Sequence, residues 1–310
     1  MLEHNILSKE DLDTILKPEN IRIFFDSKEE PAAYADDGET VVFCCMDCYG
    51  KRITGDGMDY SKLAMPEGNP VTGPLYIRGA EPGDVLEIEI LDIAVDCFGS
   101  MCVRNGVGTY EIEGSHCRQF PIEGGSVAFD EDIQIKLRPM IGVIGTCPAG
   151  APVSTEEPGE HGGNLDIRDL GIGSRLYLPV SVPGGLLSVG DLHGVQGDGE
   201  TAICGLEVNG SVVLKVNLIK KPRFLPTPFL VTENTCCTTA AAASLDECSL
   251  TAARKMHRWL IEEFELTDAQ AAMLLSLQGN LRISQIVNPL KGCVMELPRE
   301  LLRQLKRKSY

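Results

Sequence analysis

Aromatic side chains are scarce in this sequence: 5% of 310 residues, with Trp259 the single tryptophan. That scarcity argues against a surface that stacks the bases of single-stranded nucleic acid. Positive charge is short as well. Lys and Arg number 28 against 45 Asp and Glu, a formal net charge of −17. Such a chain repels polyanions, so neither nucleic acid nor an anionic membrane is an expected partner. No apolar run approaches the ~20 residues that span a bilayer. The opening residues, which include His4, Glu10, Asp11 and Asp13, are polar and acidic where a secretory signal would be apolar. These absences predict a cytoplasmic protein that handles a neutral or cationic small molecule. Also missing are a phosphate-cradling P-loop, a Rossmann glycine fingerprint after a strand and a G-x-S-x-G elbow. Nucleotide chemistry and serine-elbow hydrolysis lose support accordingly.

Cysteine, in contrast, is abundant, with twelve residues. In a cytosolic setting these are expected to be free thiols. Cys45-x-x-Cys48 is half of a zinc motif, but Cys236 and Cys237 are adjacent and supply no second half. Cys147, in the tight segment Gly145-Thr146-Cys147-Pro148, is the best candidate for a reactive thiol. His116 beside Cys117 carries little meaning, because neighbours on a strand point opposite ways. His257 falls within a helical pattern and reads as structural.

At this length two closely packed domains are expected. The pattern is mainly β, of sandwich or barrel type, over residues 1–225, and α+β over 226–310. Leu86, Ile88 and Ile90 alternate with Glu87 and Glu89, the period of a half-buried strand. Leu176 to Val182 reads as another strand. Arg138 to Ala151 reads as strand and loop through the interior. Asn209-Gly210, between apolar runs, predicts a hairpin. Ser244-x-x-Glu247 and Thr267-x-x-Gln270 each predict a helix start. Leu250, Ala253, Met256, Leu260 and Phe264 follow the first at helical spacing. Leu281, Ile283, Gln285 and Val287 predict one face of a later strand, and Pro298 a short last helix.

Two glycine-rich polar clusters stand out. In Gly190 to Glu200, Asp191 and His193 are two apart, as are Asp198 and Glu200. On extended backbone each pair faces one side. In His161-Gly162-Gly163-Asn164-Leu165-Asp166 the polar residues are again closely spaced. If Leu176 to Val182 returns antiparallel, the clusters meet. They would then offer His161, Asp166, Asp191 and His193 to a divalent metal such as zinc or calcium.

Several motifs in order carry a further signal: Asn69-Pro70-Val71-Thr72-Gly73-Pro74, Gly79 to Asp84, Pro139 to Gly145, His161 to Asp166 and Gly190 to Glu200. With Leu281 to Val287 they resemble the acetamidase/formamidase family over roughly residues 40–300. Asn280 departs from the pattern, standing where an acidic residue is expected. The resemblance implies a mainly β fold with an α+β C-terminal part, commonly assembled as dimers. It also implies hydrolysis of short aliphatic amides, formamide or acetamide, to carboxylate and ammonia.

For that reaction we expect a metal-activated water. Glu200 or Asp198 would act as general base, with His193 also in the catalytic set. Asn164, Gln196 and Cys147 would contact the substrate. One alternative makes Cys147 the nucleophile, with His161 or His193 as base. Another is a non-catalytic β protein that binds a metal or small ligand.

Overall fold

The computed structural model describes residues 14–63 and 67–308. The polar opening segment through Asp13 and the start of the Pro/Gly-rich stretch at Met65 lie outside the described residues. Among those described, strands form a nine-stranded sheet, a twelve-stranded sheet and a two-stranded piece. The α-helices α1 (Leu245–Glu263), α2 (Asp268–Gln278) and α3 (Arg299–Leu302) all lie near the C-terminus. The mainly β architecture with an α+β C-terminal part is therefore what the chain adopts.

The alternation in Val85–Val95 does what its period predicts. Leu86, Ile88 and Ile90 are fully buried and Glu87 and Glu89 only partly. This strand pairs antiparallel with Gly210–Ile219, setting Leu214 opposite Ile90 and Val216 opposite Ile88. Their inner faces join Ile141, Ile144, Val189 and Leu192 of the twelve-stranded sheet in the main core. The nine-stranded sheet continues past residue 225, where Arg175–Pro179 pairs with Phe229–Val231.

The strand Met140–Gly145 is buried at every position, as a continuously apolar strand covered on both faces should be. It pairs with Gly162–Asn164 on one side and Leu187–His193 on the other. Asn164, Val143 and Gly190 thus lie in one row across the sheet. This shared neighbour brings the two polar clusters together. The strand Arg175–Pro179, expected to do so, belongs to the other sheet.

Asn209-Gly210 is not a hairpin. Val208 pairs with Leu192 in one sheet and Gly210 with Cys45 and Val95 in the other. The glycine serves close approach: a Cβ there would sit 2.1 Å from the Ala94 carbonyl oxygen. Asn209 Oδ1 accepts from the Asp47 N–H at 3.0 Å and ties down the crossing.

Helix α1 buries Cys248, Ala252, Met256, Trp259 and Leu260 against the sheet, while Leu250 is exposed. Thr267 and Gln270 close a reciprocal cap on α2. Leu281 and Ile283 are also exposed, on an edge strand with a register shift before Gln285. No described helix is long and apolar enough to cross a membrane.

Candidate active site

Three carboxylate residues have left-handed backbone: Asp166 (φ 46°), Asp191 (φ 54°) and Glu200 (φ 45°). For residues with a Cβ that conformation costs about 1–3 kcal/mol each, and it persists where surrounding structure enforces it. All three line one cavity of about 220 Å³, together with Asn69, Asn164 and Glu207. Gly142 makes room for them. A Cβ there would lie 2.7 Å from the Asp191 carbonyl oxygen and 2.8 Å from Asp166 Oδ1.

Neighbouring side chains hold this cluster in place. Asn69 Nδ2 donates to Asp191 Oδ2 at 2.9 Å, and Asn288 Nδ2 donates to Asp166 Oδ2 at 2.6 Å. Gln196 Nε2 donates to the Asp166 carbonyl at 2.7 Å, which turns Gln196 Oε1 toward His193 Nδ1, also at 2.7 Å. Nδ1 is therefore the donor of that pair. His193 Nε2 faces Glu207 Oε1 at 2.9 Å and Asp191 Oδ1 at 3.6 Å.

Burial works against a charge on His193, but Glu207 and Asp191 outweigh it and hold the imidazole well above its ordinary range. The acids shift upward too. Burial raises Asp166 to about 6, with His193 opposing and Asp191 adding to the shift. Burial raises Glu207 to about 8, again opposed by His193. Burial and then the charge of Asp166 carry Glu200 well above the usual carboxylate range. Among the described residues, five buried oxygens make no hydrogen bond: Asn164 Oδ1, Asp166 Oδ1, Asp191 Oδ1, Glu200 Oε2 and Glu207 Oε2. A cavity lined by unsatisfied acceptors calls for a cation or a donor-rich guest.

The structure thus brings together Asn164, Asp166, Asp191, His193 and Glu200. Three sets of potential ligand atoms lie within 4.8 Å of one another: Cys48, Asp191 and Glu207; Asp166, Asp191 and His193; His193, Glu200 and Glu207. His161, expected as a metal ligand, stands apart. It packs edge-on against Phe25 at 4.9 Å, burial lowers it to about 4, and it does not line the cavity. Asp198 turns away from Glu200, because Gly199 (φ 94°) and Glu200 break the extended backbone that would align them. It pairs instead with Arg168 and Arg282, each at 3.2 Å. Gln196 supports His193 rather than lining this cavity. Cys147 lines a different, small cavity with Phe25 and Leu186, and burial pushes its thiol up to about 12. Asn280 is exposed at the sheet edge, beside Glu296.

Sequence reasoning missed Glu207, Asn69 and Asn288. Asn69 opens a motif already singled out. Asn288 directly follows the Leu281–Val287 segment, where Gln285 Oε1 accepts from the Val287 and Asn288 N–H groups, each at 3.0 Å. Glu207 gave no signal beyond following the acidic loop.

The sequence matches the acetamidase/formamidase family over residues 25–155 and 148–304. The chain belongs to that family. Membership makes it a hydrolase of the amidase type. It is similar to the crystal structure of an acetamidase from Bacillus halodurans, 43% identical with a TM-score of 0.92 over 94% of this chain and 99% of that one. A Yersinia enterocolitica acetamidase is 27% identical, with a TM-score of 0.89 over 94% of each chain. A formamidase from Methylophilus methylotrophus is 29% identical over 61% of this chain and 63% of its own length.

Proposed function

We propose that this amidase hydrolyses short, unsubstituted aliphatic amides of the formamide and acetamide class, with a divalent cation held in the carboxylate cavity. The observation that carries the cation is the set of five unpartnered oxygens. They fit a hard ion. Both ring nitrogens of His193 already have partners, so Asp191 would hold it, with Asp166, its neighbour in one of the ligand sets, or with Glu207, its neighbour in another, as zinc or calcium. When bound, such an ion supplies Lewis acidity toward the carbonyl oxygen and makes water a stronger nucleophile.

The chain's own residues do the rest. Glu200 Oε2 is unpartnered, and its raised proton affinity suits a group that takes a proton from water and returns it to the departing nitrogen. Asn164 Oδ1 can accept an N–H of the amide. His193, charged and fixed by Gln196 and Glu207, offsets part of the negative charge. A cavity of about 220 Å³ selects mainly by size. Nothing in the surroundings of Cys147 favours a thiol nucleophile.

The setting we propose is a homodimer in the cytoplasm that takes up an uncharged amide, with neither nucleic acid nor membrane as partner. The test strips the protein with a chelator, measures the metal removed, and follows ammonia release from formamide and acetamide. Activity should vanish and return with zinc or calcium. Full turnover by metal-free protein would sink the reading.

A further inference from the structure

A separate apolar cluster borders the cavity, built from Tyr49, Ile53, Cys102 and Cys117. Its two thiols have no part in the amide chemistry above. Cys102 lies on strand Phe98–Arg104 and Cys117 on strand Ser115–Glu123, directly opposite each other in antiparallel register. Opposed residues in such a ladder come at two spacings, and backbone hydrogen bonds tell which applies. The Cys102 N–H donates to Tyr49 Oη at 3.0 Å, and its carbonyl accepts from Cys204 Sγ at 3.9 Å. The Cys117 carbonyl accepts from the Gly57 N–H at 2.8 Å. All three bonds run outward, away from the opposing strand. Cys102 and Cys117 are therefore a non-hydrogen-bonded pair, the closer kind, with Cα atoms about 4.5 Å apart. That falls within the roughly 4.4–6.8 Å that a disulfide spans. Their side chains share a face of the sheet, and Cys102 Sγ lies 3.6 Å from Ser115 Oγ on the Cys117 strand.

We propose that Cys102 and Cys117 form an oxidisable dithiol that closes into a cross-strand disulfide at the wall of the amide cavity. Cys102 lines that cavity, which admits a molecule as small as hydrogen peroxide. The sulfur of Cys102 attacks one peroxide oxygen, the O–O bond breaks, and a sulfenic acid forms with release of the first water. Burial pushes the Cys117 thiol up to about 12, so its sulfur gives up the proton in the same step in which it displaces the hydroxyl. The S–S bond forms, the S–O bond breaks, and a second water leaves with the Cys117 proton. Two thiols are oxidised and one peroxide is reduced to two waters. The new bond would tie the strands beneath Tyr49, Tyr60 and Arg104, which line the same cavity.

The experiment exposes the full-length protein to hydrogen peroxide, blocks remaining thiols under denaturing conditions, and maps peptides by mass without reduction. It reads the bond itself and does not depend on amide turnover. The expected product joins the peptides of Cys102 and Cys117, lighter by two hydrogens, and dithiothreitol reverses it. In Cys117→Ser the link disappears and a sulfenic-acid probe labels Cys102. Exposed Cys97 reports that oxidant was active. Buried Cys293 and buried Cys248, whose Sγ donates to the Ala240 carbonyl at 3.0 Å, serve as comparison. Cys102 and Cys117 both remaining alkylatable while Cys97 is fully oxidised would overturn the proposal. So would a bond from Cys102 to Cys204.

Discussion

His193 Nε2 lies 2.9 Å from Glu207 Oε1, and each side chain is only 1% exposed. Two groups this dry hold each other's protonation state, and removing one partner of such a pair costs about 3–5 kcal/mol. Glu207→Gln keeps the shape and deletes the charge. Because the folded protein raises the His193 pKa, its contribution to stability is complete below the unfolded value near 6.5. That contribution is lost as pH rises through the folded value. Glu207→Gln lowers the folded value, so this loss moves to lower pH. Proton NMR titration of the imidazole should show the drop. Ammonia release should fall on the order of 100-fold or more.

Asn288 acts on the site through Asp166. Its amide at 2.6 Å fixes the carboxylate that we assign to the cation. Partners of that kind contribute roughly 10–100-fold to metal affinity or activity. Asn288→Ala should weaken metal binding by that factor, measured with a competing chelator, and cost metal-free protein only the ~1–3 kcal/mol of one lost buried hydrogen bond. A variant that binds metal normally would remove Asn288 from the site.

How far the sequence reveals this site depends on the backbone. The strands Val85–Val95 and Met140–Gly145 are legible because their side chains follow a period or a continuous apolar run. Asp191 and His193, expected to face one side, do lie 3.6 Å apart, although Asp191 (φ 54°) is not on the extended backbone that expectation assumed. Asp198 and Glu200, at the same spacing, diverge, because a positive φ at residues 199 and 200 cancels the rule. Glu207 and Asn288 reach the cavity through sheet pairing and a loop, long-range contacts that no local window contains. His161 shares a glycine-rich segment with Asn164 and Asp166, yet its ring packs on Phe25 instead.

Gly142 offers a test of how tightly the cavity is made. Gly142→Ala places a methyl within 3.0 Å of both Asp166 Oδ1 and Asp191 Oδ2. Overpacking of this sort costs about 1–3 kcal/mol. Here the displaced atoms are the proposed ligands, so metal content and ammonia release should fall far more than thermal stability does. Purified Gly142→Ala that retains stoichiometric metal would show that the carboxylates can move without loss.

Asp198 and Glu200 provide the sharpest contrast, being near neighbours in the chain with opposite surroundings. Asp198 is partly exposed and held between Arg168 and Arg282. An ion pair in that position contributes about 0–1 kcal/mol. Asp198→Asn should therefore change kcat/KM for acetamide by no more than a few-fold. Glu200→Gln removes the group whose raised pKa suits proton transfer, and kcat should drop on the order of 100- to 10,000-fold. The pH–rate profile separates the roles further. The limb that reports Glu200 should vanish in Glu200→Gln and persist unshifted in Asp198→Asn. If the limb shifts in Asp198→Asn while kcat of Glu200→Gln holds, proton transfer belongs to the residue on the arginine side, and the cavity assignment must be redrawn around it.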